Sequence, residues 1–203
     1  MSDDRKKIVV GITGASGAIY ALHTVRALLA NGVEVHLVIS DYGLYVVESE
    51  TDFPIKKPSI LDAFREKFGD CVLDGAIVKH SNKDLASSIS SGSFKTDGMV
   101  IVPCSMKTLS GVAQGFSSNL IERAADVTLK EGRTLVLVPR ETPLNRIHLK
   151  NMLAAEDAGA QILPAMPAFY HKPTTIEDLA DFIAGRILSL FGIEARLFEP
   201  WQK

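Results

Sequence analysis

Apolar positions along this chain gather into short runs, and between the runs apolar residues recur every three or four positions. The runs Ile8–Ile12, Val33–Ile39, Met99–Val102, Thr134–Val138 and Gln161–Leu163 predict strands. Little polar alternation interrupts them, the pattern of strands buried on both faces of a parallel sheet. The intervening spacing predicts helices over Ala18–Ala30, Ser59–Phe68, Leu120–Lys130, Leu149–Ala158 and Leu179–Leu190. Such alternation predicts an α/β protein with a single doubly wound, mainly parallel sheet and right-handed crossovers.

Punctuation residues sharpen these bounds. Asn31-Gly32 ends the first helix, and Gly159 closes Leu149–Ala158. Thr142-Pro143 suits an N-cap followed by a first helical position, and Thr174-x-x-Glu177 reads as a capping box. Asp52–Pro58 reads as a loop and Cys71–Val78 as a further strand. The expected organisation is one domain over 1–203, with a polar start at 1–6 and a tail at 193–203.

Composition narrows the class of partner. A chain of 203 residues that is 46% hydrophobic supports one well-buried core and is short for two domains. Its 22 basic and 24 acidic residues give a net charge of −2, with no polybasic run, which argues against nucleic acid or an anionic membrane and for a small molecule. No stretch approaches the ~18 continuous apolar residues of a membrane span. The start lacks an apolar signal core and there are only two cysteines, so a cytoplasmic location is expected. Cys104 is read as a packing residue, since no base for it is identifiable. The five histidines lack ligand spacing, and no metal is assigned.

The candidate chemistry sits at strand ends. After Ile12 the chain turns through Thr13-Gly14-Ala15-Ser16-Gly17 into a helix, and glycines beside a helix start are expected to seat a phosphate. Gly11, Gly14 and Gly17 fall three apart and miss the dinucleotide spacing G-x-G-x-x-G. Asp41 stands where an NAD-binding acid would, but Ser and Asp are ordinary caps, so it is read as a helix start. No tyrosine has a lysine four residues on, as a short-chain dehydrogenase would need. Ser40, Pro103-Cys104-Ser105-Met106-Lys107-Thr108 and Pro139-Arg140-Glu141-Thr142 also follow predicted strands, and a parallel sheet brings such ends to one edge. The resulting crevice, with amides, hydroxyls, Lys107, Arg140 and Glu141, suits a phosphorylated ligand with a polar ring system.

Two features keep two readings each. Ser81–Ser93 is either a surface loop or a hydroxyl-lined lid. Arg123 and Lys130, seven residues apart on one helix face, are either solvated charges paired with Glu122 or Asp126, or part of a cation group with Arg140, Arg186 and Tyr170 that binds a doubly charged phosphate.

Together, Thr13–Gly17, Pro103–Thr108, Asn119–Asp126, Pro139–Glu141 and Phe169-Tyr170-His171 resemble the UbiX-type flavin prenyltransferases, once called phenylacrylic acid or octaprenyl-hydroxybenzoate decarboxylases. The resemblance runs from about Ile8 to Trp201 and implies a Rossmann-like flavoprotein. It implies transfer of the dimethylallyl group of dimethylallyl monophosphate to N5 and C6 of reduced FMN, the product serving a UbiD-type decarboxylase. It further implies that Gly14, Ala15, Ser16, Ser40, Ser105, Met106, Lys107, Thr108 and Arg140 hold FMN. Lys130, Glu141, Tyr170 and Arg186, supported by Ser91 and Arg123, would face the prenyl phosphate. Glu141 would protonate the departing phosphate, and Ser16 would take the proton from flavin N5. A homo-oligomer, in the family commonly a dodecamer, is implied, with FMN near subunit contacts and Ser81–Ser93 or the C-terminal segment completing a neighbour's site.

Leu85 departs from the family, some members of which place an aromatic residue there over the prenyl group. Met106, Phe169 or Trp201 would then shelter the allylic cation. Arginine, lysine and an acid can expel a monophosphate without metal, and the adjacent pair Asp3-Asp4 is poorly placed to hold one. Two alternatives stand beside this reading. An FMN-dependent decarboxylase of the cysteine-decarboxylase type would be expected to carry histidine where this chain has Ser16, and a non-enzymatic FMN carrier would leave the cations and Glu141 unexplained.

Overall fold

Lys7–Ile12 forms β1, the centre from which a computed structural model of the chain builds outward; residues 5–199 are described. Along the chain follow α1 (Ala18–Ala30), β2 (Glu34–Ile39), α2 (Asp41–Glu50), α3 (Ile60–Phe68), β3 (Ala76–Ser81), β4 (Gly98–Cys104), α4 (Met106–Ala113), α5 (Leu120–Lys130), β5 (Thr134–Pro139), α6 (Arg146–Asp157), β6 (Gln161–Ile162) and α7 (Ile176–Leu190). The strands pair in parallel as one six-stranded sheet in the order β3-β2-β1-β4-β5-β6. The order reverses at β1 and β4, so the crevice beyond their carboxyl ends is where such a sheet binds ligands.

Every residue of β4 is buried, as its unbroken apolar run requires. One core, containing Val10, Leu28, Val35, Phe64 and Ile187, packs α1, α3 and α7 on one side of the sheet. A second, containing Val9, Ile101, Leu109, Ile121 and Leu137, packs α4 and α5 on the other. No helix among the described residues is long and apolar enough to cross a membrane.

Three local expectations shift and a fourth holds. Cys71–Val78 is not one strand: Asp70–Asp74 winds into a 3-10 turn and β3 begins at Ala76. As one of the sheet's two edge strands, half exposed along its length, β3 has no long apolar run to reveal it. Thr142-Pro143 does not open α6; Asn145 caps it, accepting from the His148 amide at 2.9 Å in a reciprocal box. The box at α7 lies one residue later than expected, because Asp178 accepts from the amides of both Thr174 and Thr175, at 2.7 and 3.0 Å, while Thr175 accepts from Asp178. Asp41 does start a helix, with Ser40 as its cap.

Candidate active site

Three capped helix starts and one glycine-led start meet beyond the carboxyl ends of β1, β2 and β4. Ser40 caps α2 by accepting from the Gly43 amide at 3.0 Å, Ser105 caps α4 by accepting from Thr108 at 3.3 Å, and Asn119 caps α5 by accepting from Glu122 at 3.1 Å. The fourth, α1, is entered through Gly17 in the left-handed region at φ 109°. These ends border a cleft of about 610 Å³ whose lining includes Thr13, Gly14, Ser40, Ser105, Lys107 and Thr108. Gly14 is required here for space, since a Cβ would meet the Tyr42 Cβ at 2.4 Å.

Thr13 ties the two central loops together. The residue is 2% exposed, and its hydroxyl donates to the Pro103 carbonyl at 2.7 Å and accepts from the Ser105 amide at 2.8 Å. The hydroxyls of Ser105 and Thr108 stand 3.2 Å apart, so the α4 start offers a preformed polar pair. Cys104 behind them is fully buried and burial pushes its thiol up to about 12, which suits packing and not nucleophilic attack.

The phosphate seat expected at the start of α1 is taken by the chain itself. Glu50, the last residue of α2, accepts from the amides of Gly17 at 2.7 Å and Ala18 at 3.1 Å. Burial would raise its carboxyl, but the Ser16 hydroxyl, these two amides and Arg140 outweigh burial and hold it below the usual glutamate range. Arg140 in turn donates from Nε to the Ser16 carbonyl at 2.8 Å. Ser16 is therefore fixed from both sides, its hydroxyl turned to an anion. Glu50 was not legible as a site residue, because nothing in its spacing sets it apart from the other charges of α2. Asn82 was also missed; its side chain and carbonyl accept from the Ile121 and Leu120 amides at 3.1 and 2.9 Å, and it lines the same cleft.

Of the residues expected at flavin, Gly14, Ser40, Ser105, Lys107 and Thr108 line the cleft, Ala15, Ser16 and Met106 continue the same segments, and Arg140, from the loop after β5, bonds to Ser16. Glu141 follows, exposed, its Oε1 accepting from the Thr142 amide at 3.0 Å. Those expected at the prenyl phosphate lie apart within one chain. Arg123 donates to the Ser90 carbonyl at 3.2 Å and to Asp126 at 2.6 Å, beside exposed Ser91. Lys130 stands 3.8 Å from Glu131 and lines a separate cleft with Phe116 and Asp126. Arg186 borders another with Arg196 and Phe198, and Tyr170 sets its ring edgewise to Phe182. Leu85 is 48% and Phe169 69% exposed, while Trp201 and Asp3-Asp4 lie outside the described residues.

A parallel sheet with hydroxyl-bearing helix starts around a crevice of nucleotide dimensions defines a flavin-nucleotide protein, and the family model Flavoprotein matches residues 1–188. The flavin prenyltransferase UbiX of Alkalihalophilus pseudofirmus is 48% identical over 202 residues, 99% of each chain. The structure of AnUbiX (PadA1) in complex with FMN and dimethylallyl pyrophosphate superposes with a TM-score of 0.87 at 46% identity, over 98% of both chains. A dodecameric FMN-dependent UbiX-like decarboxylase from Escherichia coli O157:H7 superposes at 0.83, with 43% identity, over 97% of this chain and all of that one. This chain belongs to the UbiX family of flavin prenyltransferases.

Proposed function

We propose that this protein joins the dimethylallyl group of dimethylallyl monophosphate to reduced FMN. The observation that supports the reading is the fixed loop Ser16–Gly17, held between Arg140 and Glu50 and continuous with Thr13 and Gly14, which line the helix-start cleft. Gly14, Ala15, Ser16, Ser40, Ser105, Met106, Lys107, Thr108 and Arg140 would hold the flavin nucleotide, their amides, hydroxyls and cations matching its phosphate and ring polar edge. Reduced FMN supplies the N5 and C6 nucleophiles that take the dimethylallyl group.

The chain's own groups then manage protons and charge. Ser16 Oγ faces an ionised Glu50, so it is oriented to accept a proton and relay its own to that carboxylate. Glu141 delivers a proton to the departing phosphate oxygen, and Arg123, Lys130 and Arg186, with Tyr170 and Ser91, stabilise the dianion. With Leu85 in place of an aromatic residue, Met106 and Phe169 form the apolar shelter for the allylic cation.

Because those phosphate ligands lie apart in one chain, neighbouring copies complete the site. Ile147, Leu149 and Leu153 of α6, with Met166 and Phe169, are each more than half exposed in the single chain, which supports burial against further copies, as in a dodecamer. The prenylated flavin passes to a UbiD-type decarboxylase in the cytoplasm. Anaerobic incubation with reduced FMN and dimethylallyl monophosphate, followed by mass spectrometry of the flavin, tests the reading. An unchanged flavin mass would overturn it and return the chain to the decarboxylase or carrier alternative.

A further inference from the structure

One part-buried polar array takes no part in the proposed reaction. β2 and β3 pair with His36 opposite Val78 and Val38 opposite His80, which puts both histidines on one face of the sheet. His36 is 3% exposed; its Nε2 lies 2.9 Å from Glu34 Oε1 and its Nδ1 2.9 Å from His80 Nε2. Ser87 Oγ lies 2.7 Å from His80 Nδ1, and Lys7 closes the far end on Glu34 at 3.3 Å.

Donor counting fixes the protons. An ionised Glu34 only accepts, so His36 carries its proton on Nε2; its Nδ1 then accepts from His80 Nε2–H, and His80 Nδ1 accepts from the Ser87 hydroxyl. Both rings are neutral in this arrangement. One added proton reverses the direction of the row, whereas a second sets two N–H groups against each other and breaks it. Burial holds both imidazoles below the usual histidine range; Glu34 opposes this at His36 and Lys7 adds to it, and at His80 the His36 ring adds to it while Asp84 opposes it. The row is therefore intact at neutral pH.

Ser87 leads into the turn Ser88–Ser90, whose Ile89 is buried in the second core. The Ser90 carbonyl holds Arg123 at 3.2 Å, Ser91 Oγ meets Ser93 Oγ at 2.9 Å, and the Gly92 carbonyl accepts from Arg133 at 2.8 Å. We propose that His80 and Ser87 are positioning residues for the prenyl substrate, the row Glu34–His36–His80–Ser87 fixing the serine segment so that Ser91 and Arg123 meet the substrate phosphate. The proposal rests on the reading above that those two residues bind it.

The test compares Ser87→Ala, Ser87→Thr and Arg123→Ala in the full-length protein, with dimethylallyl monophosphate as the varied substrate. Ser87→Ala should raise KM about fivefold or more at neutral pH with kcat and FMN affinity within about twofold of the parent, and Ser87→Thr, which keeps the hydroxyl, should restore it. The Ser87→Ala to parent ratio of KM should fall toward one only where a second proton enters the parent's row and breaks it, well below the ordinary histidine pKa of about 6.5 because burial depresses both rings; taking the ratio cancels the substrate's own titration. Without any flavin or substrate, amide exchange over residues 87–94 should quicken in Ser87→Ala and not in Ser87→Thr. If Arg123→Ala leaves KM unmoved, the phosphate reading fails and this inference with it. If Arg123→Ala raises KM while Ser87→Ala matches the parent, only the positioning role is overturned.

Discussion

Replacing Thr13 by valine removes one hydroxyl from the junction of β1 and β4 and leaves the side-chain volume nearly unchanged. Two bonds go with it, those to the Pro103 carbonyl and from the Ser105 amide, at 2.7 and 2.8 Å. The carbonyl still accepts from the Thr13 amide at 3.3 Å, so its loss is partial; the Ser105 amide loses this buried acceptor. A buried polar group without its partner costs about 1–3 kcal/mol, which gives a total of about 2–4 kcal/mol here. For a chain of this length that is a fall in melting temperature of roughly 5–15 °C. Because Ser105, Lys107 and Thr108 ride on the released segment, FMN should also bind about tenfold more weakly, a loss of about 1.4 kcal/mol. Thermal melting of the flavin-free protein and fluorescence titration with FMN measure the two effects. Thr13→Ser keeps the hydroxyl, loses only a methyl group, and should cost no more than about 1.5 kcal/mol. If Thr13→Val melts within about 1 °C of the parent, the two-loop staple is not what holds this edge together.

Glu141→Gln keeps size and hydrogen bonding but supplies no acidic proton, so prenyl transfer should slow roughly 10²-fold in single-turnover assays with FMN affinity unchanged; parent-like rates across neutral pH would remove it as the acid. Ser16→Ala should retain FMN and slow transfer at least roughly tenfold, and full turnover at saturating substrate would exclude its hydroxyl from the reaction. Glu50 is held below the ordinary glutamate value of 4.5, so its support of α1 is complete above that pH and is lost as pH falls through its lowered pKa. Glu50→Gln should flatten the acid limb of a stability-against-pH curve, and an unaltered limb would refute the assignment. With a thiol reagent at pH 8, exposed Cys71 should react at once and Cys104 only on unfolding, since burial keeps its thiol protonated; two fast thiols would contradict the packing.

The central strands were legible because burial on both faces writes itself as an uninterrupted apolar run, as in Met99–Val102 within β4. The edge strand β3 was displaced in the reading for the converse reason: solvent on one side dilutes the run, and Cys71–Asp74 is apolar enough to imitate it. The cleft-lining loops were legible because a parallel sheet sends its strand ends to one edge, and each loop bears a cap or glycine visible in one dimension. Glu50, Asn82 and the row through His36 and His80 were not, since their partners stand 32 to 44 positions away and no local pattern encodes such a meeting. The scatter of Arg123, Lys130 and Arg186 within one chain accords with the proposed function, in which another copy completes the site and so leaves no trace in the spacing of a single sequence.

Glu50 gives the first loop a property of a different kind. In dinucleotide-binding units of the same strand–loop–helix shape, the amides at the helix start hold the ligand's pyrophosphate. Here a carboxylate tethered by the chain already occupies the Gly17 and Ala18 amides, so an incoming anion must displace a competitor whose effective concentration is set by connectivity and not by the cell. The loop thus meets any pyrophosphate with a tethered competitor at the two amides that would hold it.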